Sequence, residues 1–373
     1  MAVSAIVFLP REGDLPSAML EDVLFDPAAR WLCAALEGEG AEDFFVACHA
    51  DDRAAAERCF PKGTLYVTTG SADAAQRLGS FLAQHEGRVL VATRPIFLSS
   101  NPQSGAENTG FYEIDAATLA AGGDLETALQ ERGQIACPGR ALHLPRQSVL
   151  RDALAQSESL ARMETCGVRV IGGSSVFVGP RVQVGRGSSL LPGTILKGDT
   201  FIGSGCTIGP NTVISDCVIG NAVTVNASQL NESAVEDEAK IGPFAYVRPG
   251  CHVGRGVKVG DFVELKNSTI GSGTKISHLT YVGDSDVGDR VNFGCGTVTV
   301  NYDGSTKFRT SIGDGAFIGC NTNLVAPVKV GAGAYTAAGS TITDDVPADS
   351  LAIARSQQTN KKQWAAKRRK RNG

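Results

Sequence analysis

The residues best suited to chemistry fall between Arg248 and Lys307. His278, in Ser277-His-Leu-Thr-Tyr281, carries an imidazole, the side chain whose unperturbed pKa lies near neutrality and suits a general base. Arg248 can grip two oxygens of one anion, and Glu264-Leu-Lys266 places a carboxylate and a second cation close together. Each residue alone has a plainer reading. A histidine on a regular scaffold, such as His252, is a solvated surface residue, and a single Arg or Lys is a solvated charge. Asn301-Tyr-Asp-Gly304 alone is a turn. Their co-occurrence gives them weight. The ten cysteines are scattered, with no C-x-x-C pair and no zinc-spaced His/Cys cluster. They read as small buried hydrophobes with free thiols.

A periodic scaffold must position these residues. From Val170 to Ile342 an aliphatic residue returns every sixth position: Val178, Val184, Leu190, Leu196, Ile202, Ile208 and Ile214, then Ile241, Val247, Val253, Val259 and Leu265. The register slips by one at Ile270 and again at Val287, and resumes at Ile312, Ile318, Leu324 and Val330. Such a period fits neither an amphipathic helix nor a long alternating strand. It fits a hexapeptide β-helix, with about 18 residues per triangular coil and the aliphatic side chains stacked inside. Glycine often follows the aliphatic residue, as at Gly179, Gly185, Gly254 and Gly319. It is expected there to turn the corner at positive φ. Residues 294–311 are too polar and too long for one corner, so 301–307 is read as a projecting loop, where function concentrates.

The chain has 373 residues and a formal charge of −4. Nothing global calls for nucleic acid, and no apolar run is long enough to span a membrane. The apolar start has no basic region before it and reads as a first strand and not a signal peptide. Together with the scattered cysteines and the lack of a membrane-length run, this gives the expectation of a cytoplasmic protein. Residues 1–144 alternate strands (around Ala5–Leu9, Asp43–Cys48, Thr64–Thr68 and Arg88–Ala92) with helices (Pro27–Glu37 and Ala72–His85), an α/β domain with a parallel sheet. Residues 145–167 form a connecting helix with Leu150, Leu154, Leu160 and Ala161 on its apolar side. Residues 168–350 are the β-helix, and residues 351–373 are a basic tail containing Trp364.

Inside the hexads, Ile241-Gly-Pro-Phe-Ala-Tyr-Val-Arg-Pro-Gly250, Gly260-Asp-Phe-Val-Glu-Leu-Lys266, Ser277-His-Leu-Thr-Tyr-Val-Gly283, Asn301-Tyr-Asp-Gly304 with Lys307, and Leu324-Val-Ala-Pro327 form a specific set. This set resembles the acetyltransferase half of the bacterial bifunctional N-acetylglucosamine-1-phosphate uridyltransferase/glucosamine-1-phosphate N-acetyltransferase family. The resemblance implies a left-handed parallel β-helix and a homotrimer. It also implies transfer of an acetyl group from acetyl-CoA to glucosamine 1-phosphate, within UDP-N-acetylglucosamine biosynthesis. By resemblance His278 is the base, Glu264 orients it, and Arg248 and Lys266 hold phosphate. Tyr281, Asn292 and Lys307 line the sugar site. Asn301 and Tyr302 lie beside the thioester, and Ala338 and Arg355 contact coenzyme A. Cys295 and Cys320 stand at coenzyme positions where the family has alanine and serine. The basic tail matches the family's own. No metal is expected.

The first domain departs from that family's nucleotidyltransferase half. Where a glycine-rich phosphate loop is usual, the chain reads Leu9-Pro-Arg-Glu-Gly-Asp-Leu-Pro-Ser17, and Ser17 takes the place of the lysine. Arg94 stands where the magnesium aspartate is usual, and a cation cannot ligate Mg²⁺. Asn108-Thr-Gly110 is a fainter echo. The expectation is a shortened, degenerate domain without uridyl transfer, so Mg²⁺ is not required. The competing readings are a still bifunctional or uridyltransferase enzyme and a non-catalytic partner of an intact homologue.

Overall fold

A computed structural model describes residues 3–99, 109–122, 125–137, 140–145 and 147–371. Asn108 lies outside the described residues. The chain divides into two compact units, Met1–Val218 and Ile219–Gly373. In the first unit a six-stranded sheet runs in the order Leu65–Thr68, Ala41–Cys48, Val3–Leu9, Arg88–Ala92, Phe111–Asp115, Gln134–Ile135. The first four strands are parallel and Phe111–Asp115 runs antiparallel to both its neighbours, so the sheet is mixed and not wholly parallel as expected. Strand alternation divides the buried residues between its two faces. Ala5, Val7, Phe44, Val46 and Leu90 pack with Trp31, Leu32 and Leu36 of the helix Ala28–Gly38. Ile6, Phe45, Val89 and Val91 pack with Phe81 and Leu82 of Ala74–Gln84 and with Leu119 and Leu129. The helices Ala116–Ala121 and Leu125–Arg132 add elements that the sequence reading does not contain.

The helix Ser148–Thr165 follows. Its buried stripe is Arg151, Ala155, Ser159 and Met163, while Leu150 is exposed. The face is therefore more polar than the sequence reading has it. The reason lies in what it covers. Ser159 Oγ donates to Val178 O at 2.6 Å, Arg162 Nη2 to Gly179 O at 2.8 Å, and Gln156 Nε2 to Val176 O at 3.1 Å. These donors satisfy carbonyls of the first coil, which has no preceding coil to pair with. The same helix holds residues 21–24: Asp152 accepts from Leu24 N at 2.7 Å, and Arg151 pairs with Glu21.

The hexads of both units form parallel strands of two to four residues on three faces, a left-handed parallel β-helix. The period-six aliphatics point inward: Leu190, Leu196, Ile202 and Ile208 in the first unit, and Val247, Val253, Val259 and Leu265 in the second, are all 0% exposed. Of the glycines after them, Gly209 and Gly242 take positive φ as expected, but others serve a different purpose. Gly185, Gly254 and Gly319 do not have positive φ. A Cβ on Gly185 would lie 2.6 Å from Gly203 C, and one on Gly319 would lie 2.4 Å from Thr336 O. Adjacent coils approach too closely there for any side chain. The left-handed corners are shared between other glycines, such as Gly193, Gly256 and Gly339, and non-glycine residues, among them Phe262, Asn267, Leu279 and Asp284.

Candidate functional site

Stacked coils place equivalent corner residues one above another, and one such corner in the second unit gathers much of the candidate chemistry. Leu279 N donates to Asp261 O at 2.9 Å, Gly296 N to Leu279 O at 3.1 Å, Asn321 N to Cys295 O at 2.8 Å, and Gly339 N to Cys320 O at 2.8 Å. The left-handed residues Phe262, Leu279, Gly296, Asn321 and Gly339 mark the same turn on every coil. The residues just before them, Asp261, His278, Cys295, Cys320 and Ala338, therefore form one column. Arg355 reaches its end: its Cδ lies 3.7 Å from where a Cβ on Gly339 would be.

Within this column His278 Nδ1 lies 2.7 Å from Asp261 Oδ1. The hydrogen bond from His278 holds the Asp261 carboxyl below its ordinary range. A carboxylate only accepts, so Nδ1 carries the hydrogen and Nε2 is the lone-pair nitrogen of the neutral ring. Within this chain the hydrogen-bond partner of His278 is thus Asp261, whereas Glu264, expected there, pairs with Arg248. Register explains the difference. Asp261 and His278 are paired residues of adjacent coils. Glu264 lies on the next face, in register with Tyr246 and Tyr281. There its Oε1 accepts from Arg248 Nη1 at 2.9 Å.

That next face carries a second cluster. Lys266 Nζ lies 3.9 Å from Asp284 Oδ2. Asn267 Nδ2 donates to Asp284 Oδ1 at 2.6 Å, and Asn301 donates to Asp284 Oδ2. Asn301 Nδ2 is also 3.5 Å from Tyr281 Oη. The neighbouring Lys307 amine, and then burial, lowers the pKa of Lys266. Burial pushes the Asp284 carboxyl up, but the Asn267 and Asn301 donors and the two lysines outweigh it, so the net shift is downward. Burial raises the Tyr281 phenol. Two ammonium groups and a guanidinium thus share one face, with Asp284 buried beneath them.

Arg248, Glu264, Lys266, Tyr281, Asn301 and Lys307 are brought together in this way, and His278, Cys295, Cys320, Ala338 and Arg355 share the corner. Asn292 lies on the strand before the corner, in register with Lys275 and Phe317. Tyr302 is exposed in a small hairpin, bridged to Lys307, and its hydroxyl donates to Gly304 O at 2.6 Å. Sequence reasoning missed Asp261, Asn267 and Asp284. The signal for Asp261 was available, since its spacing of seventeen residues from His278 is one coil.

In the first unit, the strand order reverses between Val3–Leu9 and Arg88–Ala92. A cavity of about 330 Å³ opens at their carboxyl ends, lined by Phe8, Thr93, Arg94, Tyr112, Glu126 and Gln130 among others. Ser17 is buried, and its Oγ accepts from Met19 N at 3.4 Å. Among the described residues no group of three or more His, Cys, Asp or Glu side chains could hold a metal ion.

Comparison with known proteins bears on this geometry. Residues 233–267 and 309–344 match the bacterial transferase hexapeptide (six repeats) family. The bifunctional protein GlmU of Geobacillus sp. (strain WCH70) is 50% identical over 220 residues, 57% of this chain and 48% of the relative. The chain is similar to the GlmU proteins. That of Halalkalibacterium halodurans is 45% identical over 253 residues, 66% of this chain and 56% of its own. The chain spans about half the length of the curated relatives it matches. A solved LpxA from Acinetobacter baumannii aligns over 54% of this chain and 77% of its own, loosely, at 17% identity and a TM-score of 0.31. No helix of the described residues is long and apolar enough to cross a membrane.

Proposed function

We propose that this chain is an acyltransferase that moves the acetyl group of acetyl-CoA to the amine of glucosamine 1-phosphate. The observation that carries the reading is the Asp261–His278 pair, 2.7 Å apart, at a corner that adjoins the Arg248–Lys266–Lys307 face. The sugar amine is an ammonium at neutral pH and must lose a proton before it attacks a thioester. His278 Nε2 takes that proton, and Asp261 keeps the ring in the right tautomer and balances the imidazolium. Arg248, Lys266 and Lys307 meet the phosphate, where crowded cations gain a dianionic partner. Tyr281 and Asn301 orient the sugar. The column Cys295–Cys320–Ala338, with Arg355 at its end, is assigned to the acyl-CoA substrate, and no step needs a metal.

We further propose a homotrimer. Phe244, Phe262 and Leu279 form an exposed apolar line along the left-handed positions, with the Phe244 and Phe262 rings stacked at 5.5 Å. Such a line calls for a cover. Asn292 and Tyr302, which stand apart from the clusters within one chain, would complete the site on a neighbouring subunit. The similarity to GlmU supports the acyl-transfer reading. In the first unit Arg94, at the carboxyl end of its strand, favours a phosphate-tolerant cavity without metal-assisted uridyl transfer.

The test is release of free coenzyme A from acetyl-CoA, with glucosamine 1-phosphate, glucosamine 6-phosphate and glucosamine as separate acceptors. Turnover that requires the 1-phosphate supports the reading. No release with any acceptor, from protein shown to be folded, removes it.

A further inference from the structure

Two of the ten cysteines sit next to each other in the corner column. Asn321 N donates to Cys295 O at 2.8 Å, and Gly294 N to Ile318 O at 2.7 Å, so Cys295 and Cys320 are equivalent residues of adjacent coils. Each precedes a left-handed residue, Gly296 and Asn321, so the two Cα–Cβ bonds leave the same turn. Adjacent parallel strands lie about 4.8 Å apart, inside the span of about 4.4–6.8 Å that a disulfide bridges between Cα atoms. The same column shows that side chains at this position can meet across coils, because Asp261 and His278 do so two coils along. Neither residue is buried: Cys320 is exposed and Cys295 half-buried. Six other thiols are buried, and burial raises several of them, Cys59 to about 11.

We propose that Cys295 and Cys320 are an oxidative modification site, joined by peroxide into a disulfide that clamps two coils and reopened by a thiol reductant. One sulfur attacks hydrogen peroxide. An S–O bond forms, the O–O bond breaks, and one water leaves. The second sulfur then attacks the sulfenic sulfur, forming S–S, breaking S–O and releasing a second water. The two thiols lose two hydrogens and two electrons, and peroxide is reduced to two waters. His278 is the next residue of the column below Cys295. The effect on turnover rests on the reading of this column as the acyl-CoA path. There a disulfide replaces two separate small side chains with a rigid bridge.

The experiment treats the full chain with a few equivalents of hydrogen peroxide, alkylates free thiols, and maps peptides by mass spectrometry without reduction. A Cys166→Ser/Cys137→Ser protein, lacking the other two accessible thiols, runs alongside. The expected result is a Cys295–Cys320 cross-linked peptide in both proteins, lost on adding dithiothreitol and absent from Cys320→Ala. Alkylated or separately over-oxidised Cys295 and Cys320, or cross-links to other cysteines only, overturn the proposal. Coenzyme A release, measured on the same samples, should fall about 100-fold on oxidation, as for a misplaced reacting group, and recover on reduction. A cross-link that forms without changing turnover leaves the modification site standing and rejects the acyl-CoA column.

Discussion

Asp284 is the residue whose removal should reveal most about the cationic face. The residue is 5% exposed, and its carboxylate accepts from Asn267 on one oxygen and Asn301 on the other, with Lys266 Nζ at 3.9 Å. In Asp284→Ala the amide of the buried Asn301 loses a charged acceptor, a loss of about 1.5–3 kcal/mol. Asn267 is exposed and turns to water at little cost. The partly exposed ion pair with Lys266 adds no more than about 1 kcal/mol. Together these predict a destabilisation of about 2–4 kcal/mol. Asp284→Asn keeps one acceptor, aimed at Asn301, and should lose about half as much. The Asp284 pKa is lower in the folded than in the unfolded chain. Its contribution is therefore fully present above the unfolded value of about 3.9 and disappears as pH falls through the lower folded value. Urea unfolding at fixed protein concentration, at pH 7 and again below about pH 4, measures both effects. The gap between wild type and Asp284→Asn should be full at pH 7 and narrow in acid. Variants within about 0.5 kcal/mol of wild type at pH 7, or a gap that ignores pH, would refute the reasoning.

His278→Ala should lower coenzyme A release by about 10² or more, and Asp261→Asn should lower it while shifting its pH profile. A folded His278→Ala protein with near wild-type turnover sinks the base assignment. Light scattering at micromolar concentration should give three times the chain mass, and an active monomer would contradict the trimer. Pyrophosphate release from UTP and N-acetylglucosamine 1-phosphate with Mg²⁺ should stay at the level of a dead control. Arg94 replaces the metal ligand, and the negative charges of Glu12 and Asp14 lie in the stretch where a phosphate loop would be. Turnover above that control would restore uridyl transfer.

The coil architecture was legible because its cause is local. Each buried aliphatic, from Val178 to Leu324, must return to the interior every hexad, and that demand is written directly in residue order. The slip before Ile270 is also local, and it coincides with a corner where Asn267 takes the left-handed turn. The role of Gly185, Gly254 and Gly319 was misread because a close approach between coils is a tertiary fact. A sequence shows that Gly319 is small, but not that Thr336 O lies where its Cβ would be. The same limit hid the polar face of the connecting helix, whose partners are carbonyls of residues 176–179. Family likeness pointed to Glu264, but only the register between coils places Asp261 against His278. The antiparallel direction of Phe111–Asp115 depends on where the chain returns to the sheet, and alternation alone does not encode it.

The excursion at residues 301–309 leaves the face of Val298–Val300 and re-enters at Thr310–Ile312. Both strands keep their parallel neighbours on either side, Tyr281 and Asn323–Val325 for one, Ser285–Val287 and Val328–Val330 for the other. The corner therefore works as a port that admits extra chain without disturbing the rungs it interrupts. Lengthening a flexible loop is inexpensive, about 0.6 kcal/mol for each doubling. Residues 302–307 are accordingly a natural cassette for grafting. A longer peptide seated there could be selected for a different acceptor while the coils beneath it fold as before. Acceptor preference and fold stability can in this way diverge independently, one at the corner and the other along the stack.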